Sequence, residues 1–148
     1  VAVGLALAAK KSQSRRRIFL ITGDGELAEG SNWEAALAAA HYGLDNLVII
    51  NDKNNLQLAG PTREIMNTDP LAEKWLAFGM QVTECQGNDM ASVVATLEGL
   101  KQEGKPNVVI AHTTKGAGIS FIQGRAEWHH RVPKGDEIEQ ALKELKDA

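Results

Sequence analysis

The chain has 148 residues, of which 43% are hydrophobic and 24% are charged, and its formal net charge is −3. This composition predicts one globular domain with its own core, and the mixed charges argue against a nucleic-acid-binding surface. A single cysteine, Cys85, excludes an internal disulfide, and no apolar run reaches membrane-spanning length. We therefore expect a cytoplasmic chain with neither a nucleic acid nor a membrane as a partner.

Predicted strands and helices alternate along the sequence. Short apolar runs rich in β-branched residues predict strands, and segments with helical periodicity separate them. In chain order we expect a helix at 1–11, a strand at 18–22, a helix at 31–42, a strand at 47–51, a helix at 70–78, a strand at 80–85, a helix at 89–103, a strand at 108–114 and a helix at 136–146. This order predicts an open α/β fold with a mostly parallel sheet and helices on both faces.

Three of the predicted helices carry further signals. The first begins without a capping residue, so we expect the domain to be incomplete at its N-terminus. Asp69 is the predicted N-cap of the helix at 70–78, with Pro70 at its first position. The last helix has Ile138, Leu142 and Leu145 on one apolar stripe, which predicts packing against the sheet.

Polar segments, three of which contain glycine, follow the predicted strands. They are residues 23–26, 52–55, 86–89 and 115–118. The carboxyl ends of parallel strands lie along one edge of a sheet, where open α/β sheets bind ligands. The sequence therefore predicts a ligand site at this edge, built from separate parts of the chain.

Gly23, Asp24 and Gly25 close the first predicted strand and allow two interpretations. The segment GDGELA fits the G-x-G-x-x-G/A dinucleotide fingerprint, with Asp45 about 20 residues further on. However, Asp24 and Glu26 would place negative charge where a pyrophosphate must bind, and Asp45 precedes the second strand. A divalent cation between the carboxylate and a phosphate explains the acidic residue better.

Such a cation needs additional oxygen ligands, and the segment after the second strand offers them. Asn54 provides a side-chain amide oxygen, and Leu56 provides a backbone carbonyl two residues further on. Magnesium prefers octahedral oxygen coordination from one or two carboxylates, completed by phosphate and water. We therefore predict a magnesium site formed by Asp24, Asn54 and Leu56.

Several separated motifs resemble those of one enzyme family. Gly23-Asp24-Gly25, followed by a paired asparagine, resembles the thiamine diphosphate signature. The segments GDGELAEGSNWEAA, LDNLVIINDKNNLQLAG, a W-x-x-F-G motif at 75–79, TTKGAGISF and AEWHH resemble transketolase in order and spacing. The resemblance implies a thiamine diphosphate-binding fold, with residues 1–148 forming a single diphosphate-binding domain.

The resemblance also implies roles for individual residues. The residues that would bind the cofactor are Gly23, Asp24, Gly25, Glu26, Asn54, Leu56 and Lys115. Asp24, Asn54 and the Leu56 carbonyl would hold the magnesium ion, and Gly25 would lie against the diphosphate. Lys115 and His129 would act at the reacting centre, as a cation and a proton shuttle. His130 departs from the family pattern, which has glycine at that position.

Other residues have weaker assignments. Glu29 and Glu34 match family glutamates near the dimer interface, although a helix N-terminus by itself favours acidic residues. The pattern gives His41 and His112 structural roles only. Trp33 and Trp75 are interpreted as packing residues in the core or at an interface.

The resemblance implies transfer of two-carbon ketol units between sugar phosphates, with thiamine diphosphate and Mg2+ as cofactors. The family also needs a pyrimidine-binding domain, which this sequence lacks, so we expect a pyrimidine-binding C-terminal subunit or domain as partner in a homo- or hetero-oligomer. The chain alone should not turn over substrate. Alternatives are a non-catalytic remnant that binds the cofactor or a partner, a nicotinamide-dependent dehydrogenase, and a relative that forms dihydroxyacetone or processes sulfosugars.

Overall fold

The computed structural model describes residues 1–146, so the last two residues of the predicted domain lie outside the description. The strands are β1 (Ile18–Gly23), β2 (Leu47–Lys53), β3 (Leu56–Gln57), β4 (Gly60–Pro61), β5 (Gln81–Gln86) and β6 (Asn107–His112). The helices are α1 (Ala2–Lys11), α2 (Gly30–His41), α3 (Thr62–Ile65), α4 (Leu71–Ala77), α5 (Met90–Gly99) and α6 (Asp136–Lys146), with 3-10 turns at Glu26–Ala28 and Ala126–His129.

The central sheet has the strand order β1-β2-β6-β5, and every neighbouring pair is parallel. The short strands β3 and β4 form a separate antiparallel hairpin directly after β2. All four predicted strands of the sheet are present, and the predicted fold class is confirmed. Because the four strands run in the same direction, their carboxyl ends share one edge of the sheet.

One face of the sheet carries the larger core. Alternate residues of β2 and β6, such as Ile49 and Val108, are buried on this face beneath α1, α2 and α4. Trp75 of α4 is 1% exposed, and its ring lies 4.9 Å from that of Trp33 in α2. The predicted packing roles of these two tryptophans are confirmed.

The opposite face is covered only in part. Helix α5 packs Val93 and Leu97 against a second cluster that includes Cys85, which is 6% exposed. Cys85 is thus a core residue, and its burial raises the pKa of the thiol, which makes it a poor nucleophile. On the β1 side of this face, Phe19 and Ile21 are 50% and 71% exposed. Helices therefore lie on both faces, as predicted, although the second is not fully covered.

Two predictions about helices are wrong. Helix α4 begins at Leu71 with Pro70 as its N-cap, and the Asp69 carboxylate instead pairs with Lys53. The predicted apolar stripe of α6 is about half exposed rather than packed on the sheet, and Ala141 is the buried residue of this helix. Helix α6 is held to the preceding loop by Glu144, which accepts hydrogen bonds from the backbone and hydroxyl of Ser120 at 2.6 and 2.8 Å.

Other boundaries differ by a few residues. Helix α5 ends at Gly99 rather than at residue 103, and β6 ends at His112 rather than at residue 114. Asp89 caps α5 by accepting a hydrogen bond from the Ala91 N–H at 2.9 Å. Within residues 1–146, no helix combines the length and apolar character needed to cross a membrane.

Candidate functional site

Loops that follow β1, β2 and β6 meet at the carboxyl edge of the sheet. The backbone N–H of Asp24 donates to the carbonyl of Asp52 at 3.1 Å, and the N–H of Thr113 donates to the carbonyl of Lys53 at 3.2 Å. These bonds extend the parallel pairing beyond the strands into the loops. The edge predicted from the sequence is therefore present, with β2 between its two partners.

Asp24 is a buried carboxylate at the centre of this edge. It is 2% exposed and accepts hydrogen bonds from the N–H groups of Gly25 at 2.8 Å and Asn55 at 2.6 Å. Burial raises the pKa of Asp24, the two backbone hydrogen bonds oppose that shift, and the negative charge of Asp52 adds to it. A cation bound to Asp24 would stabilise its ionised form.

The Asn54 loop is connected to Asp24 by that bond from Asn55. Asn55 has a φ of 61°, a left-handed conformation that asparagine tolerates better than most residues. The side-chain oxygen of Asn54 accepts from the Leu56 N–H at 2.9 Å, and its side-chain nitrogen donates to Asp52 at 3.3 Å. The structure thus brings Asp24, Asn54 and Leu56 together at one edge of the sheet.

The donors at this edge suit a hard cation. Within residues 1–146, no three His, Cys, Asp or Glu side chains form a metal-ligand cluster. Asp24, Asn54 and Leu56 would instead supply one carboxylate, one amide oxygen and one carbonyl. Magnesium accepts such a set when phosphate oxygens and water complete its coordination. The residues present therefore fit a magnesium–phosphate ligand.

The other residues of the GDG loop have local contacts. Glu26 accepts a hydrogen bond from the Gly23 N–H at 3.3 Å. Gly25 lies so close to Gln57 of β3 that a Cβ atom at Gly25 would come within 3.0 Å of the Gln57 Cβ. The absence of a side chain at Gly25 therefore allows the β3–β4 hairpin to pack against the GDG loop.

The dinucleotide interpretation fails on geometry. Asp45 precedes β2 and lies at the opposite edge of the sheet, where it accepts from the Gly104 N–H at 3.1 Å and pairs with Lys10 at 3.6 Å. It is therefore far along the strands from the GDG loop and cannot bind a ribose there. The Gly25 N–H, which a pyrophosphate would need, is bonded to Asp24.

A cleft of about 530 Å3 opens beside the Asn54 loop. Its lining residues are Asn54, Asn55, Leu56, Pro61, Thr62, Arg63, Asp69, Thr113, Thr114, Lys115 and Gly124. Asp69 supplies the one carboxylate of this lining, and that carboxylate is paired with Lys53. Of the two other cationic residues at the cleft, Arg63 pairs with Glu64 at 3.5 Å and Lys115 lies beside His129. Lys115 therefore adds the positive charge that favours an anionic ligand in the cleft.

Lys115 and His129 are brought together near this cleft. The Lys115 Nζ lies 3.4 Å from the His129 Nδ1. Partial desolvation lowers the pKa of His129, and the positive charges of Lys115 and His130 lower it further. The His130 ring packs edge-on against His129 with centroids 4.6 Å apart. These shifts favour the neutral imidazole of His129 at neutral pH, and a neutral ring has one nitrogen that can accept a proton or a hydrogen bond.

The family model for the thiamine diphosphate binding domain of transketolase matches residues 6–146. The chain belongs to this family. The predicted recognition is confirmed, and the match overturns the alternative of a nicotinamide-dependent dehydrogenase.

Curated relatives of this transketolase domain include subunits of divided enzymes. The chain is 74% identical over 147 residues to one subunit of the apulose-4-phosphate transketolase of Actinobacillus succinogenes, covering 99% of the chain and 53% of that protein. It is 42% identical to the corresponding subunit from Phocaeicola vulgatus, covering 99% and 53%, and 38% identical to a 6-deoxy-6-sulfo-D-fructose transketolase subunit of a Clostridium species, covering 97% and 53%. The chain spans about half the length of these relatives.

Solved transketolase structures share the fold. The Campylobacter jejuni enzyme superposes with a TM-score of 0.89 at 31% identity, covering 98% of this chain and 24% of that one. A Pichia stipitis transketolase in complex with sedoheptulose 7-phosphate superposes with a TM-score of 0.89 at 28% identity, covering 98% and 23%. The parallel sheet with its surrounding helices is thus the transketolase domain architecture.

The remaining predicted residues are separate from the Asn54 loop. Glu29 is the N-cap of α2 and Glu34 lies near the start of this helix, and both are exposed. His112 bonds to Glu84 at 2.5 Å, and His41 contacts Tyr42, with their ring centroids 4.9 Å apart. His112 thus has a hydrogen-bond partner and His41 a ring contact with its neighbour, and their structural roles stay a prediction.

Three residues of the site had no individual role predicted from the sequence. Asp52 and Thr113 bond to each other through the carboxylate and the hydroxyl, and Gln57 packs on Gly25. Asp52 was the most accessible to prediction, because it directly follows the apolar part of β2 at the predicted edge. The pairing of Gln57 with Gly25 depends on the β3–β4 hairpin, whose residues have no clear strand pattern.

Proposed function

We propose that this chain supplies the diphosphate- and metal-binding half of a transketolase, which moves two-carbon ketol units between sugar phosphates with thiamine diphosphate and Mg2+. The observation that carries the proposal is the buried Asp24 carboxylate, which the 2.6 Å hydrogen bond from Asn55 joins to the Asn54 loop. Family membership supports thiamine diphosphate as the ligand. The donor chemistry of the edge supports a divalent cation as its companion.

The proposed roles follow from position and charge. Asp24, Asn54 and the Leu56 carbonyl hold the cation that binds the diphosphate, while Gly23, Gly25 and Glu26 shape the loop around it. Thiamine diphosphate, when bound, supplies the electron sink for breaking the carbon–carbon bond beside the ketose carbonyl. Lys115 stabilises negative charge in the cleft, and His129, neutral at neutral pH, moves a proton or bonds the substrate.

We also propose that the chain works with a pyrimidine-binding subunit or domain, in a homo- or hetero-oligomer. The subunit names of its relatives support this division of the enzyme between chains. The 74% identity to an apulose-4-phosphate transketolase subunit makes apulose 4-phosphate the first donor to test. The 6-deoxy-6-sulfo-D-fructose relative makes a sulfosugar the second.

Calorimetric titration of the 148-residue chain with thiamine diphosphate, in Mg2+ or in EDTA, tests the binding half of the proposal. We expect binding only with Mg2+, and a loss of about tenfold or more in the variant Asp24→Ala. The matched control is Asp45→Ala at the opposite edge of the sheet, which should bind as the unaltered chain does. Equal binding in EDTA, or unchanged binding by Asp24→Ala, would contradict the proposal.

Turnover tests the catalytic half. We expect ketol transfer only after a pyrimidine-binding subunit is added, and transfer by the chain alone would contradict the divided site. Binding of thiamine diphosphate with no turnover in the presence of a partner subunit would instead support a non-catalytic role.

A further inference from the structure

Asp52 contacts all three loops of the candidate site. Its backbone carbonyl accepts the Asp24 N–H at 3.1 Å. Its carboxylate accepts two further bonds, from the Asn54 side-chain nitrogen at 3.3 Å on one oxygen and from the Thr113 hydroxyl on the other. Asp52 therefore links the loops after β1, β2 and β6 through one residue.

The contact between Asp52 and Asn54 helps to determine which atom of the Asn54 amide would face a cation. The oxygen and nitrogen of an asparagine amide are similar in size, yet only the oxygen binds a cation. An ionised carboxylate only accepts hydrogen bonds, so Asp52 selects the orientation in which the amide nitrogen faces it. The amide oxygen then points away, where it accepts the Leu56 N–H at 2.9 Å and keeps a second lone pair for a metal.

We propose that Asp52 is a positioning residue, which fixes the Asn54 amide so that its oxygen is presented to the cation. This inference rests on the proposed function, because it requires the metal site formed by Asp24 and Asn54. Asp52 touches neither the cation nor the substrate in this role. Together with the Leu56 N–H, which only donates, Asp52 disfavours the flipped orientation, in which Asn54 would present N–H groups to a positive charge.

The first experiment measures Mg2+ affinity in the presence of thiamine diphosphate, by calorimetry on the full chain, together with thermal unfolding in EDTA. Asp52→Asn keeps the shape of the side chain but can offer an N–H to Asn54, so we expect a loss of about 10–100-fold in Mg2+ affinity. Asp45→Asn is the matched control, because it makes the same substitution at the opposite edge of the sheet, away from the site. Its affinity should change by less than about threefold.

The second experiment separates orientation from general stability. The double variant Asp52→Asn, Asn54→Asp reverses donor and acceptor, and both oxygens of the new carboxylate can bind a cation. We expect it to recover most of the affinity that Asp52→Asn loses. An affinity of Asp52→Asn within about twofold of the unaltered chain, or no recovery in the double variant, would overturn the positioning role.

Two further results complete the design. If Asp24→Ala binds Mg2+ normally, the proposed function fails and the positioning role fails with it. If Asp24→Ala loses Mg2+ affinity but Asp52→Asn does not, the positioning role alone is overturned. If Asp52→Asn does not fold, NMR of the unaltered chain replaces it. Slow hydrogen exchange of the Asn54 side-chain amide supports its bond to Asp52, and fast exchange overturns it.

Discussion

Replacing Gly25 by alanine should test how the GDG loop and the β3–β4 hairpin fit together. The backbone of Gly25 has φ −65° and ψ −34°, which alanine adopts without strain. The added Cβ, however, would lie within 3.0 Å of the Gln57 Cβ, 3.2 Å from its Oε1 and 3.5 Å from its Cα. The Cβ atoms cannot both occupy these positions, so the hairpin that follows the Asn54 loop must move.

The magnitude follows from two opposing terms. A glycine-to-alanine change at a compatible backbone conformation stabilises a protein by about 0.4–1 kcal/mol, because the unfolded chain loses entropy. Forcing an extra carbon into a packed contact costs about 1–3 kcal/mol. We therefore expect Gly25→Ala to lower the free energy of unfolding by about 1–2 kcal/mol.

Changing Gln57 to glycine isolates the contact. This substitution removes the Gln57 Cβ and Oε1 and leaves the Cα at an ordinary 3.5 Å from the new methyl group. In that background Gly25→Ala should become neutral or stabilising, which gives a coupling energy of about 1–3 kcal/mol in the double-mutant cycle. Urea unfolding in EDTA, followed by tryptophan fluorescence, measures all four proteins. An equal cost of Gly25→Ala in both backgrounds would refute the steric argument.

The same cycle also tests the contact with the diphosphate that the family resemblance implies for Gly25. If the diphosphate lies against Gly25, the double variant Gly25→Ala, Gln57→Gly should be stable but should bind thiamine diphosphate more weakly than Gln57→Gly does. Full recovery of both stability and binding would assign the glycine to the hairpin contact alone.

Two further predictions concern residues outside the GDG loop. The hydrogen bond from Lys53 lowers the pKa of Asp69 below its ordinary value of 3.8. The pair therefore stabilises the fold fully above pH 3.8, and this stabilisation is lost as the pH falls through the lower pKa of Asp69 in the folded chain. Lys53→Met should raise the pKa of Asp69 in an NMR titration and flatten the pH dependence of unfolding below pH 3.8; an unchanged titration would contradict the pairing. Trp75→Ala should cost about 3–5 kcal/mol in urea unfolding, because the ring is fully buried against Trp33. Trp75→Phe keeps an aromatic ring, and it breaks no hydrogen bond because the Trp75 indole N–H has no partner within residues 1–146. It should therefore cost much less than Trp75→Ala, and equal costs would argue against ring packing as the cause.

The sequence predicted the sheet because its strands are short, β-branched and separated by helical segments, and these are local signals. It also predicted the edge, because parallel strands place their carboxyl ends together whatever their order. Asp69 shows where local signals fail: an Asp-Pro pair before a helix is a capping pattern, yet Lys53 from β2 competes for the carboxylate. The α6 stripe shows a second failure, since an apolar face indicates burial without indicating which surface covers it.

Asp24 shows why the rules that predict buried core residues do not predict a binding site. A carboxylate that is 2% exposed is disfavoured by desolvation, and the nearby charge of Asp52 makes ionisation harder still. Lys53 opposes this shift but pairs with Asp69. A divalent cation at Asp24 would offset both the burial and the repulsion, and it would add phosphate affinity to the same edge. Two carboxylates at adjacent strand ends, with the nearby lysine already paired elsewhere, therefore support the proposal of a cation at this edge.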